Sequence, residues 1–436
     1  MGARGKAMHS RNNFAVRSSR WLAAFLALVP VWAAAECSLS TEQFPSGDHA
    51  VLLCGEGIEI ETVIDGAEDA GIKFHYRQYL RRCEPGNRKP GMYMVAEPVN
   101  KATSATLKAL NGGSVVCEVA LDLAAGPDRF VSPDFLEAMT EAEAQFIEVN
   151  GVRTRYFDKG DGPVLLLVHG GQPSAADFNA WEWQQNFDGL AEDFRVIALD
   201  RIGQGYTDNP ANLDDYNNYY PLVVEHLVAF IKTMNLKRVH LVGHSQGGWP
   251  VTRTALDYPD LVASLVIVDS TMVAPASNAA NAVRFYVWHQ NDLHPADGET
   301  HESIRRGMQS FSYTNNNISD QRIERILAIS RTEKYRKASD WFNANRMSPA
   351  HPSFRALKKQ IWEELNSGAL EVPALIIWGR NDPEGSFDAG VGFFEALKAA
   401  GTDVTFKPFD NSGHVPYMEY PDEFNSVVTE FFSAHP

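Results

Sequence analysis

The run Gly243-His-Ser-Gln-Gly247 constrains the fold of this chain more than any other feature. It follows an apolar, strand-like stretch, Arg238-Val-His-Leu-Val242, and opens a helix-like one. A strand-to-helix turn this sharp excludes bulk two residues before and two after its apex, and Gly243 and Gly247 stand at those places. Ser245, at the apex, is expected to be exposed at a helix N-terminus. There the backbone N–H of Gln246 and the positive end of the helix dipole stabilise negative charge developing on a bound carbonyl oxygen. A Gly-x-Ser-x-Gly pattern arises by chance in roughly one chain in seven of this length, so its surroundings must carry the weight.

A serine hydroxyl is a weak nucleophile and needs its proton removed as it attacks. For a nucleophile at such a turn, the acid and the base are expected later in the chain, each at the end of its own strand. Pro373-Ala-Leu-Ile-Ile-Trp378 reads as a fully buried strand, and Gly379-Arg-Asn-Asp382 sets a carboxylate at its carboxyl end. Asp403-Val-Thr-Phe-Lys-Pro-Phe409 reads as the last strand, and Asn411-Ser-Gly-His414 carries an imidazole just beyond it. Ser245, His414 and Asp382 thus read as nucleophile, base and acid of a serine hydrolase. Asp269, which ends the buried run Leu265-Val-Ile-Val268, is the alternative acid. A second oxyanion donor is expected after Val164-Leu-Leu-Leu-Val168, where His169-Gly-Gly171 offers the N–H of Gly171 beside that of Gln246. His169 and His244 read as structural, and His226, His240 and His351 as satisfied surface or core residues. No histidine spacing matches a zinc site, and no metal or cofactor is called for.

Further motifs accompany the turn: Asp200-Arg-Ile-Gly-Gln-Gly-Tyr-Thr-Asp208 after the strand-like Phe194-Arg-Val-Ile-Ala-Leu199, Trp378-Gly-Arg-Asn-Asp382, and Gly413-His-Val-Pro-Tyr-Met-Glu-Tyr-Pro421. With these, residues 145–434 resemble an α/β-hydrolase-fold enzyme over about two thirds of the chain. Within that fold the chain is similar to the branch that includes hydrolases of meta-cleavage products, which cut a carbon–carbon bond in dienoate ring-fission products. The segment Ser312-Tyr-Thr-Asn-Asn-Asn-Ile-Ser-Asp320 adds to the likeness. That branch usually has Trp directly after its histidine, where Val415 stands here, and an arginine that grips the substrate carboxylate, for which Arg322 and Arg325 are nearby. Epoxide hydrolases and haloalkane dehalogenases resemble the region too, but their turn carries Asp where Ser245 stands. The expected reaction is hydrolysis of an ester of a small apolar or aromatic substrate. Carbon–carbon bond hydrolysis is the alternative, and a non-catalytic ligand-binding protein of the same fold the second.

Arg4, Lys6, Arg11, Arg17 and Arg20 precede the apolar run Trp21–Trp32 and then Ala33-Ala-Ala35. This is the pattern of a secretory signal peptide over 1–35, which implies a secreted or periplasmic protein with no membrane anchor. Export would suit the cysteines. Cys37, Cys54, Cys83 and Cys117 all fall in the first hundred residues after that segment and are expected to form two disulfides. Cys37 with Cys54 and Cys83 with Cys117 is the favoured one of three pairings, because neighbours close short loops. Residues 36–125, with β-prone runs such as Gly113-Ser-Val-Val-Cys-Glu-Val119, read as a small β-rich domain. A linker follows over 126–144, in which Thr140-Glu-Ala-Glu-Ala144 reads as a short helix.

From there the pattern changes. Phe146-Ile-Glu-Val149, Asn150-Gly151 and Val152-Arg-Thr-Arg-Tyr156 make a strong hairpin signal. Strands then alternate with helical stretches, the mark of a largely parallel sheet wrapped by helices, over 145–271 and 369–436. Residues 272–368 interrupt the alternation with a helix-prone stretch expected to cap Ser245, its aromatics (Phe285, Tyr286, Trp288, Phe311, Tyr313, Trp341, Phe342) lining a pocket or forming plain core. A formal net charge of −16 repels phosphate backbones, so the expected partner is a small molecule and not a nucleic acid.

Overall fold

The computed structural model describes strands between residues 38 and 123, and then residues 138–275, 299–314, 317–347 and 351–436. The expected signal segment, Cys37, Cys83, Phe285, Tyr286 and Trp288 lie outside the described residues. The N-terminal strands are β1 (Ser38–Gln43), β2 (His49–Cys54), β3 (Glu61–Asp65), β4 (Phe74–Arg77), β5 (Gly91–Ala96), β6 (Thr103–Asn111) and β7 (Ser114–Leu123). They form two antiparallel sheets, ordered β1-β2-β5-β4 and β3-β6-β7.

The stretch expected as a helix at 140–144 is instead a pair of turns. Thr140 N and Oγ1 both donate to Glu143 Oε2, at 2.7 and 2.9 Å, and Glu143 N donates back to the Thr140 carbonyl. A strand begins at Gln145, before a helix could propagate beyond that nucleus.

That strand, β8 (Gln145–Val149), turns into β9 (Val152–Lys159) through Asn150 and Gly151, whose φ values of 50° and 82° are the two left-handed positions of a type I′ turn. The strands that follow are β10 (Val164–Val168), β11 (Arg195–Leu199), β12 (Val239–His244), β13 (Val262–Val268), β14 (Ala374–Gly379) and β15 (Val404–Phe409). With β8 and β9 they make an eight-stranded sheet ordered β15-β14-β13-β12-β10-β11-β9-β8, parallel from β15 to β11 and antiparallel at the hairpin edge.

Parallel strands joined by crossover helices are covered on both faces, so they need apolar residues at every position. β13, Val-Ala-Ser-Leu-Val-Ile-Val, is buried throughout. Successive residues serve opposite layers. Leu166, Leu241, Ile267 and Ile376 pack with helices 219–233, 248–257 and 387–399. Leu165, Leu167, Val242, Val266 and Ile377 pack with helices 184–190 and 421–434.

The chain leaves β10 for β11 on one side and then crosses back to place β12 on the other. Loops leaving the carboxyl ends of β10 and β12 therefore diverge and open a crevice, the place where such sheets bind ligands. Between β13 and β14, helices His301–Phe311, Asp320–Ser330, Glu333–Ala344 and Pro352–Asn366 form the interruption expected at 272–368. Trp341 and Phe342 from this stretch pack on Tyr216, at 5.6 and 5.0 Å between ring centres, and so belong to the core. Among the described residues no helix is long and apolar enough to cross a membrane.

Because Leu166 and Leu167 fill opposite layers, Leu166→Ala and Leu167→Ala are each expected to lower the unfolding free energy by about 2–5 kcal/mol. The midpoint of urea unfolding for each variant checks this, and a loss well below that range would mean that one layer is loosely packed.

Candidate active site

Ser245 follows β12 directly and holds φ at 48°, a left-handed conformation that is costly for a residue with a side chain. The chain then enters a short 3₁₀ turn, Ser245–Gly247, and the helix Gly248–Asp257. A Cβ on Gly247 would overlap the Val168 and His169 carbonyl oxygens, and one on Gly243 would strike Val251 and the Gly247 carbonyl. Ser245 was expected to be exposed, and the structure corrects this: it is 6% exposed. The physical reason is crowding from two sides. Gly170 lies so near that a Cβ there would come within 3.0 Å of the Ser245 Cβ, and the Phe311 ring from the inserted helices covers His414 at 5.5 Å.

The loop after β15 brings His414 Nε2 to 3.0 Å from Ser245 Oγ, and the loop after β14 brings Asp382 Oδ2 to 2.8 Å from His414 Nδ1. Asp382 Oδ1 accepts the backbone N–H groups of Glu384 and Gly385, at 2.8 and 2.9 Å, which fixes the carboxylate plane. Asp269, the alternative acid, ends β13 with φ of 45°, and its Oδ1 accepts the N–H of Gly379 at 2.8 Å. It is therefore Asp382 that meets His414, with Asp269 packed behind. Asp269, Asp382 and His414 offer atoms within 4.8 Å of one another. Those atoms could turn to a metal ion only by giving up the bond between Asp382 and His414.

Burial alone would lower the pKa of His414, but the Asp382 and Glu384 carboxylates outweigh it and raise it to about 9. Glu384 Oε2 stands 3.1 Å from His414 Nε2, the same nitrogen that faces Ser245. The sequence reading missed Glu384, although its place two residues beyond Asp382 in a tight turn was a usable signal.

Two further carboxylates were missed because key partners, Tyr417 and His244 for Glu182 and Tyr313 and Thr314 for Glu419, lie far away in sequence. Glu182 Oε2 accepts the Tyr417 hydroxyl at 2.9 Å and stands 3.5 Å from His244 Nδ1, while His244 Nε2 donates to the His414 carbonyl at 2.9 Å. Burial pushes the Glu182 pKa up, yet His244 outweighs it and the net shift is downward. Glu419 is buried and accepts from Gly413 N, Ser412 Oγ, Tyr313 N and Thr314 N, at 2.7, 3.0, 2.7 and 2.6 Å. Burial raises its pKa to about 7 against those donors.

Gly171 takes φ of 64°, and any Cβ there would overlap Phe178. The Gly170 carbonyl accepts from His169 Nδ1 and Gln204 Nε2, at 2.9 and 3.2 Å. In a trans peptide this turns the Gly171 N–H the opposite way. Among the described residues neither that N–H nor the N–H of Gln246 has a hydrogen-bond partner. The other histidines singled out by sequence have side-chain partners among the described residues. His169 Nε2 accepts the N–H of Arg201 at 3.0 Å, His226 meets Thr154 Oγ1 at 3.0 Å, His240 meets Ser264 Oγ at 2.8 Å, and His351 meets Ser353 Oγ at 2.7 Å.

A pocket adjoins this group, lined among others by Asp177, Phe178, Met308, Phe311, Arg322 and Val415. Arg322 is half-buried there, its Nη1 near the Asn317 carbonyl and the Met418 sulfur. Arg325, the other cap arginine singled out by sequence, turns away to Gln184 Oε1 at 2.8 Å and the face of Trp181.

The family model described as alpha/beta hydrolase fold matches residues 163–421. The chain is 28% identical to a 2-hydroxymuconate semialdehyde hydrolase of a Pseudomonas species over 65% of this chain and 91% of that one. It is 26% identical to a 2-hydroxy-6-oxo-6-(2'-aminophenyl)hexa-2,4-dienoic acid hydrolase of Metapseudomonas resinovorans, over 66% and 90%. Among solved structures, a meta-cleavage product hydrolase from Pseudomonas fluorescens superposes with a TM-score of 0.55 at 25% identity, covering 68% of this chain and all of that one. The sheet order, the strand-to-helix turn at Ser245 and these matches agree: the chain belongs to the α/β-hydrolase-fold family and is a hydrolase.

Proposed function

We propose that Ser245, His414 and Asp382 act as nucleophile, base and acid in the hydrolysis of a carbon–carbon bond beside a carbonyl, in a small carboxylate-bearing dienoate of the meta-cleavage-product kind. The observation that carries this reading is Arg322, a guanidinium in the pocket beside Phe311 and Val415, suited to hold a substrate carboxylate. The names of the relatives point to the same substrate class.

His414 Nε2 takes the proton of Ser245 Oγ as the oxygen attacks the carbonyl carbon. The N–H groups of Gly171 and Gln246 receive the resulting oxyanion. Collapse of the tetrahedral intermediate breaks the carbon–carbon bond. The leaving carbon, to which the substrate's enol proton has first shifted, departs as a dienolate with its charge spread to the 2-oxo oxygen, and that oxygen takes the proton from His414. Water then attacks the acyl-serine with His414 again as base, releasing a carboxylic acid and Ser245.

Ester hydrolysis is the second reading, favoured by one observation: Val415 lines the pocket where the resembling branch has Trp. An ester would pass through the same acyl-serine, with an alcohol leaving in place of the carbon. A purely ligand-binding role has less support, because binding alone does not require the three side chains at 2.8 and 3.0 Å.

We further propose export, with cleavage of residues 1–35 and two disulfides among Cys37, Cys54, Cys83 and Cys117. The clustering of all four cysteines before the hydrolase region, with none inside it, supports an oxidising compartment. We also propose a small N-terminal β-rich unit before the hydrolase region, supported by the strands between residues 38 and 123, and a helical cap over 272–368, supported by the four helices between β13 and β14.

The reading is tested by kcat/KM on a dienoate ring-fission product beside short aryl esters, with Ser245→Ala as the control expected to abolish both. Arg322→Leu is expected to lower kcat/KM for the dienoate by about 10–100-fold, the worth of a charge-assisted hydrogen bond, and to leave neutral esters nearly unchanged. A wild-type preference for esters would select the second reading.

Because kcat/KM reports the free enzyme, its acid limb is expected near the His414 pKa of about 9, with activity rising as the imidazolium loses its proton. Glu384→Gln removes one of the two negative charges that favour the imidazolium, so the limb is expected to move to lower pH. A limb unmoved in the variant would exclude Glu384 from the electrostatics of His414.

A further inference from the structure

Two strand ends in this hydrolase deliver carboxyl groups to one place, and the mechanism above uses only one of them. Asp269 is fully buried at the end of β13 and held in a left-handed backbone conformation. Non-glycine residues in that region are costly and gather at functional sites, and Ser245 at the end of β12 is in the same state. One oxygen of Asp269 accepts the Gly379 N–H, and the other, Oδ2, is buried with no hydrogen-bond partner among the described residues. A buried lone carboxylate oxygen facing a second carboxylate would cost several kcal/mol if both were charged.

We propose that Asp269 is a positioning residue: it carries a proton on Oδ2, presents it to the Asp382 carboxylate, and stands in for Asp382 against His414 Nδ1 when that carboxylate is removed. The inference rests on the triad reading given above. A neutral Asp269 hydrogen-bonded to Asp382 would hold the charged carboxylate against His414 without adding a second charge. The groups facing Asp269 are Asp382 from the loop after β14, His414 from the loop after β15, and Glu419 beyond it. Burial, then the neighbouring Asp382, pushes the Asp269 carboxyl well above the ordinary range, in keeping with a retained proton. With Asp382 gone, its repulsion goes too, and Asp269 can ionise beside the imidazolium within 4.8 Å.

The test uses the full chain and three variants assayed on whichever substrate the wild type turns over. Asp269→Asn copies the neutral acid, since an amide oxygen can accept from Gly379 and its N–H can donate to Asp382, so kcat/KM is expected within about 3-fold of wild type. Asp382→Ala is expected to keep a substantial residue of activity, because Asp269 replaces the missing acid. Asp382→Ala with Asp269→Asn is expected to fall about 10⁴-fold, the loss that a misoriented imidazole brings.

The low-field proton resonance of a carboxylate-bound imidazole N–H is expected in Asp382→Ala and absent in the double variant, a signature that a merely structural role would not move. Two results would overturn the proposal: a folded Asp269→Asn that loses more than about 10-fold, or equal activity in Asp382→Ala and the double variant. Asp382→Ser replaces Asp382→Ala if circular dichroism shows that the alanine variant does not fold. Turnover surviving in Ser245→Ala would instead sink the triad reading itself, whatever Asp269 does.

Discussion

The contact on which the rest of the structure depends is that between two strand ends. Gly247, just past β12, lies against the Val168 and His169 carbonyls at the end of β10, and neither side has room for one more carbon atom. That approach fixes the nucleophile turn against the loop that carries Gly170 and Gly171. It is possible because β10 and β12 are parallel neighbours in register, Val168 opposite Gly243. Hydrogen bonding along the sheet thus determines the distance between a hydroxyl and the amides nearest to it.

Around that rigid seam, buried carboxylates do most of the positioning. Asp200 pairs with Arg155 at 2.7 Å and also takes the N–H groups of Ala180 and Tyr206, which holds the loop after β11. Glu182 braces His244 and Tyr417, and Glu419 gathers four donors from two loops. Asp200 and Glu419 meet donors with both oxygens, the usual condition for burying charge, and Glu182 does so with Oε2 alone. The formal charge of −16 thus understates how much acidity is spent inside the protein rather than on its surface.

The sheet was legible because its strands are unbroken apolar runs bounded by glycine and acid. Val164–Val168 is observed at the expected limits, and Asn150-Gly151 makes the expected turn. Ser245, Asp382 and His414 could be read because each ends a strand whose apolar pattern marks it. Glu182 and Glu419 were not legible, since their meaning comes from Tyr417, His244 and Tyr313, which only folding brings near. The burial of Ser245 was missed for the same reason: the Phe311 that helps to cover the site arrives from an insertion more than sixty residues later. Thr140–Ala144 failed differently, because local helix propensity was overridden by the start of a strand.

Glu419 ties Gly413 and Ser412 of the histidine loop to Tyr313 and Thr314 of the inserted segment, while the N–H of His414 donates to the Phe311 carbonyl at 2.7 Å. The inserted segment that lines the pocket with Phe311 and the loop that carries the imidazole are therefore one mechanical part. A molecule too large for the pocket would have to shift that part, and the base with it, as it entered. Such a protein can reject an oversized guest by being disarmed by it, so that fit is judged in turnover as well as in affinity.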